Sequence, residues 1–141
     1  MINKKELPSP SVPTYRKNVT IAKAEELFNA IVKQLRKGNR YRSAHYTVDQ
    51  LAKDLNTKRK NISSAILTCT GDNYKMLINK MRMKDVLRMM NDEKHQQMTI
   101  EDIALLAGYA SRQSFYVSFK RIFGCSPATY RKMTTESDTL Q

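Results

Sequence analysis

Two stretches of the chain carry polar and basic side chains at the spacing of a single helix face. In chain order the outer face of the first stretch carries Lys60, Ser63, Ser64 and Leu67, and that of the second carries Gln113, Tyr116, Val117 and Lys120. Arg112 stands at the start of the second stretch, where a long side chain reaches beyond the helix end. Arginine, glutamine, lysine and serine hydrogen-bond to base edges in the major groove or hold phosphates. The two faces therefore predict contacts with duplex nucleic acid, although each face alone is also compatible with an ordinary solvated surface.

Each of these helices has an apolar face opposite the polar one. Its residues recur at spacings of three and four, at Ile62, Ala65, Ile66 and Cys69, and at Phe115, Ser118, Phe119 and Ile122. A short helix precedes each of them, started by Thr47 in one case and by Thr99 in the other. Gln50, three residues after Thr47, predicts a reciprocal capping box. Asn56 and Gly108, which suit left-handed backbone, end the short helices. Two short helices joined by such a turn are the signature of a helix-turn-helix unit.

The two units are copies of one repeat. Residues 47–52 align with residues 99–104 at an offset of 52, and one extra residue in the second turn raises the offset to 53. Beyond the turn, Gly71 matches Gly124 at that new offset. Start and end signals that agree in two copies favour paired recognition helices over two unrelated solvated faces.

The remaining pattern predicts an all-α fold, because no alternating stretch is long enough for a sheet and each glycine lies at a junction. A first helix is expected from near Ile21 to Gly38-Asn39. Its apolar stripe consists of Ala24, Leu27, Phe28, Ile31 and Leu35. Residues 74–91 predict a helix of about 27 Å, close to the ~34 Å between successive major-groove faces of B-DNA.

The predicted organisation is two helix-turn-helix subdomains joined by a linker helix. It comprises a flexible extension over residues 1–20, a first subdomain over 21–72, the linker over 73–92, a second subdomain over 93–132 and a tail over 133–141. The linker is interpreted as a rigid strut whose methionines pack as a hinge between two lobes.

The chain of 141 residues has a formal net charge of +12, spread along its length. Such an excess favours a polyanionic partner, either a nucleic acid or an acidic membrane surface, over a merely solvated lysine-rich surface. No apolar run approaches the ~18 residues of a membrane span, and no signal-peptide segment follows the N-terminus. Cys69 and Cys125 lack metal or redox spacing, so we expect reduced thiols in a cytoplasmic protein without membrane contact.

No catalytic constellation is evident in the sequence. His45 and His95 have no carboxylate pair at a useful helical spacing, and no glycine-rich phosphate loop occurs. We therefore expect no enzymatic activity, no cofactor and no metal. A small basic helical adaptor that binds an acidic protein is the alternative, and it need not bind random duplex DNA at low salt. An RNA-binding protein is less favoured because no aromatic stacking platform is evident.

The chain closely resembles the DNA-binding domain of the AraC/XylS family of transcription regulators from about residue 47 to residue 132. The second repeat carries most of the match, through Ile103-Ala104, Ala107-Gly108-Tyr109, Ser111, Gln113-Ser114-Phe115, Phe119-Lys120, Gly124-Cys125-Ser126-Pro127 and Tyr130-Arg131. The first repeat fits through Leu51-Ala52, Leu55, Ile62, Gly71, Leu77 and Arg82. It departs from the family pattern at Asn56, at Lys58, which replaces a capping serine, and at Ile66. Thr57 is an alternative cap for that helix.

The resemblance implies a homeodomain-like, AraC-type fold that places both recognition helices in successive major grooves, in a family whose members mostly activate transcription by contacting RNA polymerase. By position, the base-reading residues are Lys60, Ser63 and Ser64, and Arg112, Gln113 and Tyr116. On chemistry as much as family position, the phosphate contacts are Thr47, Lys58, Arg59, Ser111, Lys120 and Arg131. Roughly 45 residues precede the first repeat and nine follow the second, too few for a separate effector-sensing domain. We expect a chain that binds double-stranded DNA as a monomer, or the output domain of a longer regulator.

Overall fold

Helices account for every regular element in the part of the chain that the structure describes. The structure is a computed structural model that describes residues 14–139, with side chains from 20 to 134. Its helices are α1 (Thr14–Arg36), α2 (Val48–Asp54), α3 (Arg59–Thr70), α4 (Tyr74–Met90), α5 (Ile100–Leu106), α6 (Arg112–Phe123) and α7 (Pro127–Thr139). Two short 3-10 segments, Lys37–Arg42 and Glu93–His95, complete them. The all-α prediction is confirmed.

The terminal helices extend farther than the sequence predicted. Helix α1 begins at Thr14 rather than near Ile21. Helix α7 runs to Thr139, so most of the predicted tail is helical. Residues 14–20 and 133–139 contain neither glycine nor proline. Elongating an existing helix adds one hydrogen bond per residue and needs no apolar face. Residues 1–13 and 140–141 lie outside the described residues.

The first subdomain closes around a core between α1, α2, α3 and the N-terminal half of α4. Ile31 and Leu35 of α1 are fully buried, as is Ile62 of α3, and Leu77 and Ile78 join them from α4. The stripe predicted on α1 therefore faces this core, with Leu27 and Phe28 packed at its edge.

The second subdomain has its own core, to which α4 also contributes. Met83, Val86 and Met89 are buried against α5 and α6. Phe115 and Phe119 are fully buried and pack edge to face at a centroid distance of 5.8 Å. Helix α4 is thus shared by both cores: Met83, Met89 and Met90 belong to the second core, whereas Met81 packs against the first.

A buried carboxylate ties the loop after α1 to α4. Asp85 of α4 accepts hydrogen bonds from the Tyr41 hydroxyl and from Nε of Arg42, the latter at 2.8 Å. Arg82, one turn earlier on α4, donates from Nε to the Tyr41 carbonyl oxygen at 2.8 Å. Burial alone disfavours the charged form of Asp85, but the hydrogen bonds from Tyr41 and Arg42 outweigh it and hold the pKa of Asp85 below its usual value.

Asp85→Asn is expected to lower the free energy of unfolding by about 2–3 kcal/mol at pH 7, because Arg42 loses its charged partner in a largely buried site. Since the folded-state pKa is depressed, the stabilisation is present above the unfolded pKa near 4 and disappears as pH falls through the folded pKa. Denaturation at pH 7 and pH 3 measures both effects, and the variant should show the smaller difference between them.

Asp49→Asn is the matched control, because Asp49 lies 3.8 Å from Arg59 in a pair whose side chains are about two-thirds exposed. Its expected loss is at most about 1 kcal/mol. Equal losses for the two variants would contradict a stabilising role for the buried carboxylate.

The second subdomain is held to the same helix by aromatic and polar contacts. Tyr109 packs edge to face on Phe115 with ring centroids 5.3 Å apart, and its hydroxyl donates to the Asn79 carbonyl oxygen at 3.3 Å. The Asn79 amide in turn donates to the Ser118 hydroxyl of α6 at 3.0 Å. Helix α4 therefore fixes α6 directly as well as through the core.

Candidate nucleic-acid interface

Helices α3 and α6 are structurally equivalent elements of the two repeats. Each has 12 residues, and each ends at a left-handed glycine, Gly71 with φ 76° and Gly124 with φ 75°. The N–H of each glycine donates four residues back, to Leu67 at 2.9 Å and to Lys120 at 2.8 Å. Residues of α3 and α6 that are 53 positions apart in the sequence therefore occupy equivalent positions in the two helices.

The turns before both helices have the conformation that the sequence predicted. Asn56 has φ 52° and Gly108 has φ 108°, both in the region that asparagine and glycine tolerate best. Each turn brings a short helix and a recognition helix together on one core, so the polar faces point away from it.

Helix α3 presents its predicted readers on an exposed face. Ile62 and Ile66 are fully buried, whereas Lys60, Ser63 and Ser64 are all exposed. The inner and outer faces predicted for this helix are therefore present. Within the described part of the chain, Lys60, Ser63 and Ser64 form no side-chain hydrogen bond or ion pair, so each remains able to bind a ligand.

The starts of α2 and α3 differ in how they are capped. Thr47 accepts a hydrogen bond from the Gln50 N–H at 3.1 Å, as predicted. The reciprocal half of the capping box is wrong, because the Gln50 amide donates forward to Asp54 at 2.9 Å. Lys58 stands at the cap of α3 without a capping side-chain bond, and Thr57 accepts from the Asn61 side chain instead of capping.

The starts of α2, α3 and α6 carry four of the predicted phosphate contacts. Lys58 and Arg59 are exposed at the start of α3, and Thr47 is exposed at the start of α2. Ser111 caps α6 by accepting from the Ser114 N–H at 3.1 Å, and its own O–H remains able to donate. Anions are favoured near helix starts because the peptide dipoles point their positive ends there.

The other two predicted phosphate contacts lie farther along the chain. Lys120 is exposed in the last turn of α6, and Arg131 is half-buried on α7. Four of the six predicted phosphate contacts therefore lie at helix starts, and these two do not.

Arg112, the first predicted base-reading residue of α6, lies in a cluster of side-chain contacts. The Arg112 side chain is 72% exposed, and its guanidinium lies over the Tyr116 ring at 5.3 Å from the centroid. Its Nε lies 3.5 Å from Oε1 of Glu101, which comes from α5. The Tyr116 hydroxyl donates to the same Glu101 oxygen at 2.6 Å. Gln113 is exposed beside this cluster.

Glu101 is the residue of this surface that the sequence analysis missed. The hydrogen bond to Tyr116 holds the pKa of Glu101 below its usual value and raises the pKa of Tyr116. At neutral pH a carboxylate therefore faces a protonated phenol. Because the phenol proton is donated to Glu101, the Tyr116 hydroxyl can act towards a further group only as an acceptor, while the exposed Arg112 guanidinium has several N–H donors. No sequence signal marks this contact, since an acidic residue in the first turn of α5 is adequately explained by the helix dipole.

Arg112→Ala and Lys120→Ala are expected to affect DNA binding in different ways. Loss of Arg112 should relax preference at one base position, most simply a guanine, by about 1–3 kcal/mol. Loss of Lys120 should weaken all sequences alike and reduce the slope of log affinity against log salt by about one. Site selection and salt titration of both variants measure this, and matching behaviour would contradict the division between reading and positioning residues.

The described residues show no group of three or more metal-binding side chains placed to share an ion. None of the described helices is long and apolar enough to cross a membrane.

Comparisons with known proteins agree with this architecture. The family model of a helix-turn-helix domain, of the AraC type, matches residues 51–133. The chain is 30% identical over 87 residues to the RCS-specific transcriptional activator RclR of Escherichia coli, covering 62% of this chain and 30% of that protein. It is 28% identical over 110 residues to the raffinose operon transcriptional regulatory protein RafR of Pediococcus pentosaceus, covering 78% of this chain and 38% of that protein.

The chain thus spans about a third of the length of these two relatives. A solved structure of a Listeria innocua protein of unknown function shares the fold, with a TM-score of 0.61 at 17% identity over 75% of this chain and 95% of that one. The matched family model covers more than half of the chain, including both recognition helices, and the chain belongs to the AraC/XylS family of helix-turn-helix regulators.

Proposed function

We propose that this chain regulates transcription by binding double-stranded DNA in a sequence-specific manner, with α3 and α6 inserted in successive major grooves. The observation that carries the proposal is the pairing of two equivalent recognition helices, each with a buried apolar face and an exposed polar face. The net charge of +12 supplies attraction to the phosphate backbone. The printed names of both relatives describe transcriptional regulators.

The shared helix supports simultaneous insertion. Helix α4 has 17 residues and therefore a length of about 26 Å, comparable with the ~34 Å of one DNA turn. It is a core element of both subdomains, and Asp85 ties it to the loop after α1. A fixed separation of the two helices makes the recognition site one asymmetric element with two contact blocks. A monomer is then sufficient, and no palindrome is required.

Activation through contact with RNA polymerase is the mode of regulation we propose. The name of RclR describes an activator, and a protein bound along one face of the duplex leaves its opposite surface accessible to polymerase. This part of the proposal is separate from DNA reading, because a repressor uses the same recognition helices.

Selection of bound sequences from a random duplex pool tests the proposal. The expected result is an enriched asymmetric sequence with two blocks whose centres lie about one helical turn apart. A variant with Ser63→Ala and Ser64→Ala should lose preference in one block only, while Arg112→Ala changes the other. A pool that shows no enrichment, and no binding of random duplex DNA at low salt, would favour the basic adaptor and contradict the proposal.

A further inference from the structure

The register between the two recognition helices identifies one position that has no assigned role. At an offset of 53, the proposed readers Lys60, Ser63 and Ser64 of α3 correspond to Gln113, Tyr116 and Val117 of α6. Gln113 and Tyr116 are already among the proposed readers. Val117 is equivalent to Ser64, and it is the member of the second set without a hydrogen-bonding group.

The structure places Val117 on the outer face of α6. The residue is 53% exposed, whereas Phe115 and Phe119 on the opposite side are fully buried. It lies one turn after Gln113 and one turn before Lys120, so it occupies the middle of the exposed stripe. Val117 belongs to neither core cluster, and valine has a lower helix propensity than most residues of an exposed helix face. Folding therefore gives no reason for an apolar, β-branched side chain at this position.

We propose that Val117 determines sequence specificity by contacting the 5-methyl group of a thymine in the second contact block. This inference rests on the proposed function, because it assumes that α6 enters the major groove. The thymine methyl is the one apolar group that the base pairs expose there, so an apolar side chain on the reading face fits it. The stiff χ1 of valine keeps its methyl groups in one position at little loss of entropy.

The neighbouring contacts make this position more important for α6 than Ser64 is for α3. The Tyr116 hydroxyl donates its proton to Glu101, which leaves Arg112 and Gln113 as the side-chain donors near the start of the helix. Val117 follows them on the exposed stripe and precedes Lys120, the proposed phosphate contact. It is therefore the next residue along α6 that can distinguish bases. Its contact would extend the readout of α6 by one base position.

Replacement of single thymines by deoxyuridine tests the inference, since it removes only the methyl group. The probe is a duplex of the sequence selected by the wild-type protein, with each thymine of the second block replaced in turn. At one position the wild-type protein should bind about fourfold more weakly, the effect expected for one buried methyl group. Val117→Ala should bind the unmodified duplex several-fold more weakly and show no difference between thymine and deoxyuridine at that position.

Leu105→Ala is the matched control, because Leu105 is 58% exposed on α5 and lies outside the recognition helices. It should keep the full response to deoxyuridine. The inference is overturned if no thymine methyl in the second block affects binding, or if Val117→Ala responds to deoxyuridine as the wild-type protein does. Absence of any selected sequence would contradict the proposed function itself, so the two failures are distinguishable.

Discussion

Replacing Gly108 by alanine is expected to lower the free energy of unfolding by about 3–5 kcal/mol, because backbone strain and steric overlap add at this position. A Cβ atom on residue 108 would lie 2.4 Å from the carbonyl oxygen and 2.6 Å from the Cα of Arg42. Both are backbone atoms, so no side-chain rotation relieves the overlap. The residue also has φ 108°, which L-residues rarely adopt. The midpoint of thermal unfolding should fall by more than about 12 °C.

Gly124→Ala separates the two contributions. Gly124 has φ 75°, but a Cβ atom there would meet nothing within 4 Å. Its substitution should therefore lower stability by only about 1–2 kcal/mol, from backbone conformation alone. Chemical denaturation of both variants gives the difference, which measures the close approach of the second turn to Arg42. Equal losses would show that this approach is not maintained in solution.

The close approach also joins the two subdomains. Arg42 belongs to the loop after α1 and bonds to Asp85 of α4, while Gly108 forms the turn before α6. Gly108→Ala must displace one of these elements if the protein remains folded. A folded variant is therefore expected to bind its selected sequence more weakly than Gly124→Ala does.

The helices and their faces could be predicted from the sequence because burial leaves a periodic signal. Ile62 and Ile66 alternate with exposed serines at helical spacing, and Phe115 and Phe119 repeat the pattern. Turn residues leave an equally local signal, since Asn56 and Gly108 are the residue types that tolerate positive φ. Local periodicity and local backbone chemistry therefore account for the agreement.

Contacts between distant residues left no such signal. Asp85 lies more than forty positions from both Tyr41 and Arg42, and each of these residue types is common on a solvated surface. The pairing of Glu101 with Tyr116 and Arg112 depends in the same way on how α5 and α6 pack. The start of α1 was missed because the extension of an existing helix does not require a periodic apolar pattern in the sequence.

The proposed DNA complex makes its strongest prediction about the spacing between the two contact blocks. Inserting half a helical turn (about five base pairs) moves the second block to the opposite face of the duplex. Helix α6 could follow only if α4 left one of its cores or if the DNA bent severely. Affinity should therefore fall about 10³-fold, towards the level of non-specific binding. The same insertion outside both blocks is the control and should leave affinity unchanged.

Affinity measured for duplexes with a half-turn and a full-turn insertion tests the rigid two-helix account most directly. A full turn (about ten base pairs) restores the face but moves the second block farther away by ~34 Å. Because α4 has a fixed length, the account predicts that neither duplex regains high affinity. Undiminished binding to both would contradict it, and would show that the repeats are loosely tethered or that only one of them reads DNA.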